Sequence, residues 1–234
     1  MSTLGELLRA MPLPARAMQP AAVAPVDAEA EAQAAASPAT SVREEQIRAL
    51  VQQLFFRPES GGVRKAGFAP VESSAQTAAL CLDVAKVLAA ENKYDVGLID
   101  ATCDAVTPQE RLQVPESAHF KVTWPVSSRL WLLPRRSWWR EPGLQPITDR
   151  DLERLRDLMT EFDFSILQCA PVSWLTLRIA QNCDGLVLIL RANKTRRLVA
   201  SQIKEQLTRF RIPLLGTVLA ERRLPVPQRL YGKL

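Results

Sequence analysis

A chain of 234 residues, 47% hydrophobic and 24% charged, reads as a soluble globular protein with room for one sizeable α/β domain and a tail. No apolar run approaches the ~20 residues of a membrane span. The opening, Met1 to Glu6, has neither a basic nor an apolar leader region, so no secretory signal and a cytoplasmic location are expected. Cys81, Cys103, Cys169 and Cys183 are scattered, form no CxxC pair and read as reduced thiols. His119 is the only histidine and has no partner at metal-ligand spacing, so no metal site is expected. The net charge of +5 is uneven: residues 191–234 hold 11 Lys/Arg against 2 Asp/Glu, and residues 1–60 hold 5 against 7. Such a basic end suits an acidic partner or an anionic surface, or is a solvated helix face. It has no interleaved aromatic residues, and nucleic acid is not expected as a partner.

Residues 1–40 are rich in Ala and Pro and bury too little to order themselves, so they are expected to be disordered. Leu4, Leu7, Leu8 and Met11 would share one helical face, either as a docking peptide or as a frayed terminus. The domain proper is expected over 41–234, opening with a helix over 41–56 capped by Ser41 and Glu44. Its apolar stripe is Ile47, Leu50, Val51 and Leu54, and Pro58 to Gly62 ends it. Strand and helix then alternate. Strand 63–69 leads to helix 77–90, and strand 95–99 to a Pro-interrupted stretch with a strand at 130–133. A helix capped at Thr148 to Asp151 runs to 162. Strand 164–169, helix 172–180, strand 185–190, helix 194–210 and a closing strand 213–219 follow. Short apolar strands separated by helices predict an α/β fold: a doubly wound, mainly parallel sheet with helices on both faces. Ligands of such sheets bind at the carboxyl ends of the strands.

The loop after the first strand is the most informative stretch. A phosphate-binding turn there is Gly-rich and carries a Lys. Here it reads Pro70-Val71-Glu72-Ser73-Ser74-Ala75-Gln76, with no Gly between Gly67 and Gly97 and no Lys between Lys65 and Lys86. Pro70 lacks a donor N–H. Glu72 would repel a phosphate by on the order of 1–4 kcal/mol per charge pair at ~4 Å.

Taken together, the ordered blocks over residues 41–234 resemble the cytoplasmic kinase domain of the bacterial tyrosine kinases that regulate capsule and exopolysaccharide export, within the MinD/ParA-like P-loop group. Glu45 and Arg48 match the family's Glu-x-x-Arg-x-x-Arg helix, which mediates ring-like self-association, although Val51 replaces its second Arg. The same two residues also form an ordinary helical ion-pair spacing. Asp95 to Asp100 looks like the strand ending in the acidic residue that serves metal and water. Asp100 matches, and Thr102 stands where the family has a further Asp. Arg129 to Pro134 resembles the strand after the activation region. Phe162 to Val172 follows the family's Tyr-Asp-x-x-Ile-Ile-Asp-x-Pro-Pro-Val, with Gln168 in place of the metal-binding Asp; an amide is the weaker Mg²⁺ ligand. Cys183 to Arg191 with Thr195 matches a further strand and the Thr that opens the next helix. Leu215 to Ala220 ends in Ala220 where the family's Asn reads adenine. Leu224 to Tyr231 is similar to the family's Pro-x-x-Leu-Tyr ending. Tyr94 and Tyr231 are the only tyrosines, so the C-terminal phosphoacceptor cluster is missing.

The resemblance therefore implies a degenerate, P-loop NTPase-like domain in which Asp100 is a vestigial site residue and no cofactor is expected. It implies a pseudo-NTPase that serves as scaffold or regulator in exopolysaccharide biosynthesis or export, the holdfast type included. Its expected partner is a membrane polysaccharide co-polymerase or another polysaccharide-synthesis protein. A homo-oligomer and a location peripheral to the inner membrane are further expectations. The alternative is a divergent active ATPase or tyrosine kinase that binds ATP and Mg²⁺ through Ser73, Ser74, Thr77 and Asp100. A MinD-like positioning protein is a third reading, opposed by the Pro-interrupted end, which lacks a basic amphipathic membrane helix. Trp138 and Trp139, flanked by Arg135, Arg136 and Arg140, suit a partner or membrane contact, or an irregular loop packed on the domain.

Overall fold

The computed structural model describes residues 38–56, 62–74, 76–90, 93–102, 124–139 and 146–221. The expected disordered tail up to residue 37, the docking face of Leu4, Leu7, Leu8 and Met11, Cys103, His119 and the ending from Leu224 to Tyr231 lie outside the described residues.

Helix α1 (Pro38–Phe55) precedes strand β1 (Lys65–Pro70), helix α2 (Gln76–Ala90) and strand β2 (Val96–Ala101). A hairpin of β3 (Trp124–Ser127) and β4 (Leu130–Leu133) follows, then a single 3-10 turn (Arg135–Ser137). The chain continues through α3 (Asp149–Thr160), β5 (Phe164–Cys169), α4 (Trp174–Ala180), β6 (Gly185–Arg191), α5 (Arg197–Arg209) and β7 (Leu214–Ala220). The seven strands form one sheet in the order β3-β4-β2-β5-β1-β6-β7. All neighbours pair in parallel except β3, which runs antiparallel to β4.

The doubly wound parallel sheet is thus the one that the strand–helix alternation predicts. β2 and β5 are buried along their whole length, as near-continuous apolar runs covered on both faces must be. One core packs Ile47, Val51, Leu54 and Phe55 of α1 and Cys81, Val84 and Leu88 of α2 against Phe68, Leu98 and Ile166. The other packs Leu155 and Met159 of α3, Leu177 of α4 and Ile203 and Leu207 of α5 against Ile99, Leu167 and Leu188. The segments that lead into β5 and β7 come this close to the neighbouring strands only where a side chain is missing. A Cβ on Gly97 would stand 2.7 Å from Phe162 Cδ2, and one on Gly185 would stand 2.6 Å from the Pro213 carbonyl oxygen.

Three local readings change. Helix α1 begins at Pro38, so Ser41 lies inside it and is not its cap; proline fits a first turn, where its missing N–H has no intrahelical partner to lose. α4 begins at Trp174, because Ser173 is extended and its Oγ accepts the Thr176 N–H at 3.4 Å. The four-residue strand β3 carries Pro125 and a register shift, and both weaken its sequence signal. The capping box of α3 is as expected: Thr148 Oγ1 accepts from Asp151 N–H at 3.3 Å, and Asp151 Oδ2 accepts from Thr148 N–H at 3.0 Å. Among the described residues no helix is long and apolar enough to cross a membrane.

Candidate functional site

The chain leaves β1 to one side for β2 and returns through β5 and β6, so the carboxyl ends of β2, β5, β1 and β6 surround a topological switch point. The loop after β1 faces this crevice. The strand pairing runs one residue beyond β1, with Val71 N–H donating to the Ile189 carbonyl at 3.0 Å. The first turn of α2 is then closed by the loop itself. Gln76 N–H donates to Ser74 Oγ at 3.2 Å and Thr77 N–H to the Ser74 carbonyl at 3.3 Å. These are backbone donors that a phosphate loop aims at its ligand; here a serine of the same turn takes two of them.

The start of α2 also fixes the register that the sequence leaves ambiguous. In a strand–loop–helix phosphate site the hydroxyl residue follows the Lys at the helix start. Thr77 occupies the second position of α2, which puts Gln76 where the Lys would stand. Thr77 is 2% exposed, and its Oγ1 has no hydrogen-bond partner among the described residues. Ser73 and Glu72 are exposed.

Asp100 sits near the end of β2, opposite Gln168 on β5. Both are 1% exposed. Asp100 Oδ1 accepts from Thr102 N–H at 3.0 Å and from Thr102 Oγ1 at 2.7 Å. Its other oxygen lies 3.4 Å from Arg135 Nε. Arg135 also donates to the Thr102 carbonyl at 3.1 Å, so one guanidinium ties together the end of β2 and the turn after β4. A carboxylate that could serve a divalent cation is here faced by a fixed organic cation.

The far side of the crevice repeats the arrangement. Arg191, the last residue of β6, donates through Nε and Nη2 to the two carboxylate oxygens of Glu221 at 2.9 and 3.1 Å. Lys194 Nζ reaches Glu221 at 2.9 Å, and Arg191 lies 3.8 Å from Glu72 in the loop after β1. The Arg191 fork, then the Lys194 ammonium, hold the Glu221 carboxyl below its ordinary range. Thr195 Oγ1 accepts the Arg191 N–H at 2.9 Å and closes this turn, and α5 opens two residues later. Ala220 places a methyl group at the end of β7, where an adenine-reading amide is absent.

Trp138 and Trp139 correct the contact reading. They are 1% and 5% exposed, stack on each other at 5.9 Å and belong to the core that α3 packs against. Trp138 Nε1 donates to the Asp100 carbonyl at 3.0 Å. Rings this large gain more from burial than they could offer a partner from inside the domain. Glu45 and Arg48 are both exposed on α1. Neighbouring Arg43 bonds Asp83 of α2 through Nη2 at 2.6 Å. The pairing of Arg135 with Asp100 and of Arg191 with Glu221 escaped the sequence reading. Each arginine stands at or just beyond the end of an apolar strand, and that position was the available signal.

No family profile matches the chain, and no curated protein matches it in sequence. Solved structures share its fold. The VpsO kinase domain superposes with a TM-score of 0.60 at 18% identity, covering 78% of this chain and 98% of that one. The kinase domain of the Escherichia coli tyrosine kinase ETK gives 0.60 at 14% identity, covering 79% of each. A ParA-family ATPase from Chlorobium tepidum gives 0.52 at 13% identity, covering 74% of this chain and 79% of that one. The expected fold relationship to bacterial tyrosine kinase domains and ParA-type ATPases is therefore present.

Proposed function

We propose that this chain is a tyrosine-kinase-like pseudo-NTPase that keeps the fold of a phosphoryl-transfer domain and acts as a scaffold or regulator. Phosphoryl transfer needs little covalent chemistry from the protein; it needs phosphates positioned and their charge neutralised by Lys and Mg²⁺. The residues present do not fit that group. Gln76 replaces the Lys, Ser74 occupies donors of the helix start, and Gln168 replaces a carboxylate. Arg135 against buried Asp100 is the observation that carries the reading, because it supplies from within the protein the positive charge that a metal would bring.

The family resemblance supports a role for this scaffold in exopolysaccharide biosynthesis or export, with a separate membrane co-polymerase as its partner at the cytoplasmic side of the membrane. Calorimetric titration of the full chain with ATP, with and without Mg²⁺, tests the retired site. Heats indistinguishable from dilution up to millimolar ATP are expected. Micromolar affinity that requires Mg²⁺ would instead establish the divergent active enzyme.

A further inference from the structure

The two edges of the sheet are built differently. β3 closes one edge with four residues, a proline and a register shift, three devices that discourage a further strand. β7 closes the other with seven residues, Leu214 to Ala220, none charged and none proline. Ala192 N–H donates to the Ala220 carbonyl, so Ala220 faces β6. Because backbone groups alternate sides along a strand, Thr217 and Leu219 turn their N–H and C=O groups away from the sheet. Among the described residues no strand pairs with that side. Thr217 is exposed, and Leu219 is 58% exposed.

We propose that the outer edge of β7 receives an extended segment of another protein that alternates small or apolar residues and carries carboxylates at its two ends. Main-chain hydrogen bonds would add it as an eighth strand, with the Leu219 side chain as its apolar contact. Charge selects this occupant. Residues 191–221, which bracket the edge, hold seven Lys/Arg against two Glu. Arg209 and Arg211 stand exposed before β7, and Lys194, Arg196 and Arg197 stand exposed after β6, beside the other end of β7. One of the two carboxylates, Glu221, is already engaged by Arg191 and Lys194. A second copy of this chain would set this excess against its own image, whereas acidic ends would meet a cation at each end of the strand.

The test uses the full chain and two labelled ten-residue peptides with the same Thr-Val-Thr-Val-Thr-Val centre, one ending in Glu/Asp pairs and the other in Lys/Arg pairs. Fluorescence anisotropy is expected to show the acidic peptide binding at least ten-fold more tightly, with an affinity that falls as salt rises. Hydrogen exchange of the free protein should find the Thr217 and Leu219 amides open and Val218 slow, and the acidic peptide should protect the first two. Leu219→Pro should abolish binding while leaving the melting temperature within a few degrees. If that variant does not fold, the peptide-induced protection of the unaltered chain decides. Equal affinity for the two peptides, no binding of the acidic one, or Thr217 and Leu219 already protected in the free protein would each overturn the proposal. Protection accompanied by a dimeric mass would assign the edge to a second copy.

Discussion

Two arginines close the same crevice from opposite sides, and their surroundings give them different weight. Arg135 meets Asp100 where the carboxylate side chain is 1% exposed and the residue's backbone carbonyl accepts the Trp138 indole N–H. Arg191 meets Glu221 where the carboxylate is 24% exposed, and Lys194 shares it. Both guanidiniums are partly exposed, so the difference lies in the carboxylates: water reaches Glu221 and is kept from Asp100. Losing a partner from a buried pair strands a charge in a medium that solvates it poorly, whereas losing one at the surface hands it to solvent. The two ion pairs thus differ in kind: the one on the β2 side is part of the core, and the one on the β6 side is a surface clamp.

Substitutions that divide these sides test the contrast, and Trp138 should weigh most. Trp138→Ala removes a fully buried ring and the donor to the Asp100 carbonyl, so a loss of roughly 3–5 kcal/mol is expected in urea unfolding. A change within experimental error would put the indole on the surface instead. Next comes Arg135→Met, which takes the guanidinium away from buried Asp100 while leaving its Thr102 hydrogen bonds in place, and should cost on the order of 3 kcal/mol. The double variant Asp100→Asn with Arg135→Met should recover part of that loss, since the buried carboxylate charge is removed along with the guanidinium; a strictly additive result would show that the two side chains do not interact.

The smallest effect is expected at Glu221→Gln, and it should appear as a pH dependence. The Glu221 carboxyl is held below its ordinary value of 4.5 in the folded chain. Its contribution is therefore complete above the ordinary range and is lost as pH falls through the lowered folded value. The Gln variant should lose less stability than the parent on acidification below pH ~4.5, and added salt should narrow the gap. Parallel acid-unfolding profiles would remove Glu221 from the account.

The strands were legible because burial on both faces writes itself as uninterrupted apolar runs: 130–133 and 164–169 match β4 and β5 residue for residue. Helix starts were less so. Ser41 looked like a cap, but Pro38 opens α1 three residues earlier, and capping residues are common enough in sequence to appear where no helix begins. β3 was missed because a short edge strand needs neither alternation nor a long apolar run. The Trp138-Trp139 pair could not be placed from sequence, because a ring flanked by arginines looks the same on an interface as in a packed turn.

Residue identities alone name what the crevice does not carry: glycines and a Lys in the loop after β1, a carboxylate at Gln168 and an amide at Ala220. Those are statements about residue types at positions near strand ends, and local spacing carries them. What stands beside those positions follows from the packed sheet. Arg135 follows β4 and Arg191 ends β6, separated in sequence from Asp100 and Glu221 by 35 and 30 residues; the sheet order, not the local sequence, brings each cation to its carboxylate. Among the described residues the same order leaves β7 at the edge of the sheet and β5 in the interior, although both strands read as apolar runs. Burial is a property of neighbours, and neighbours are set by the fold.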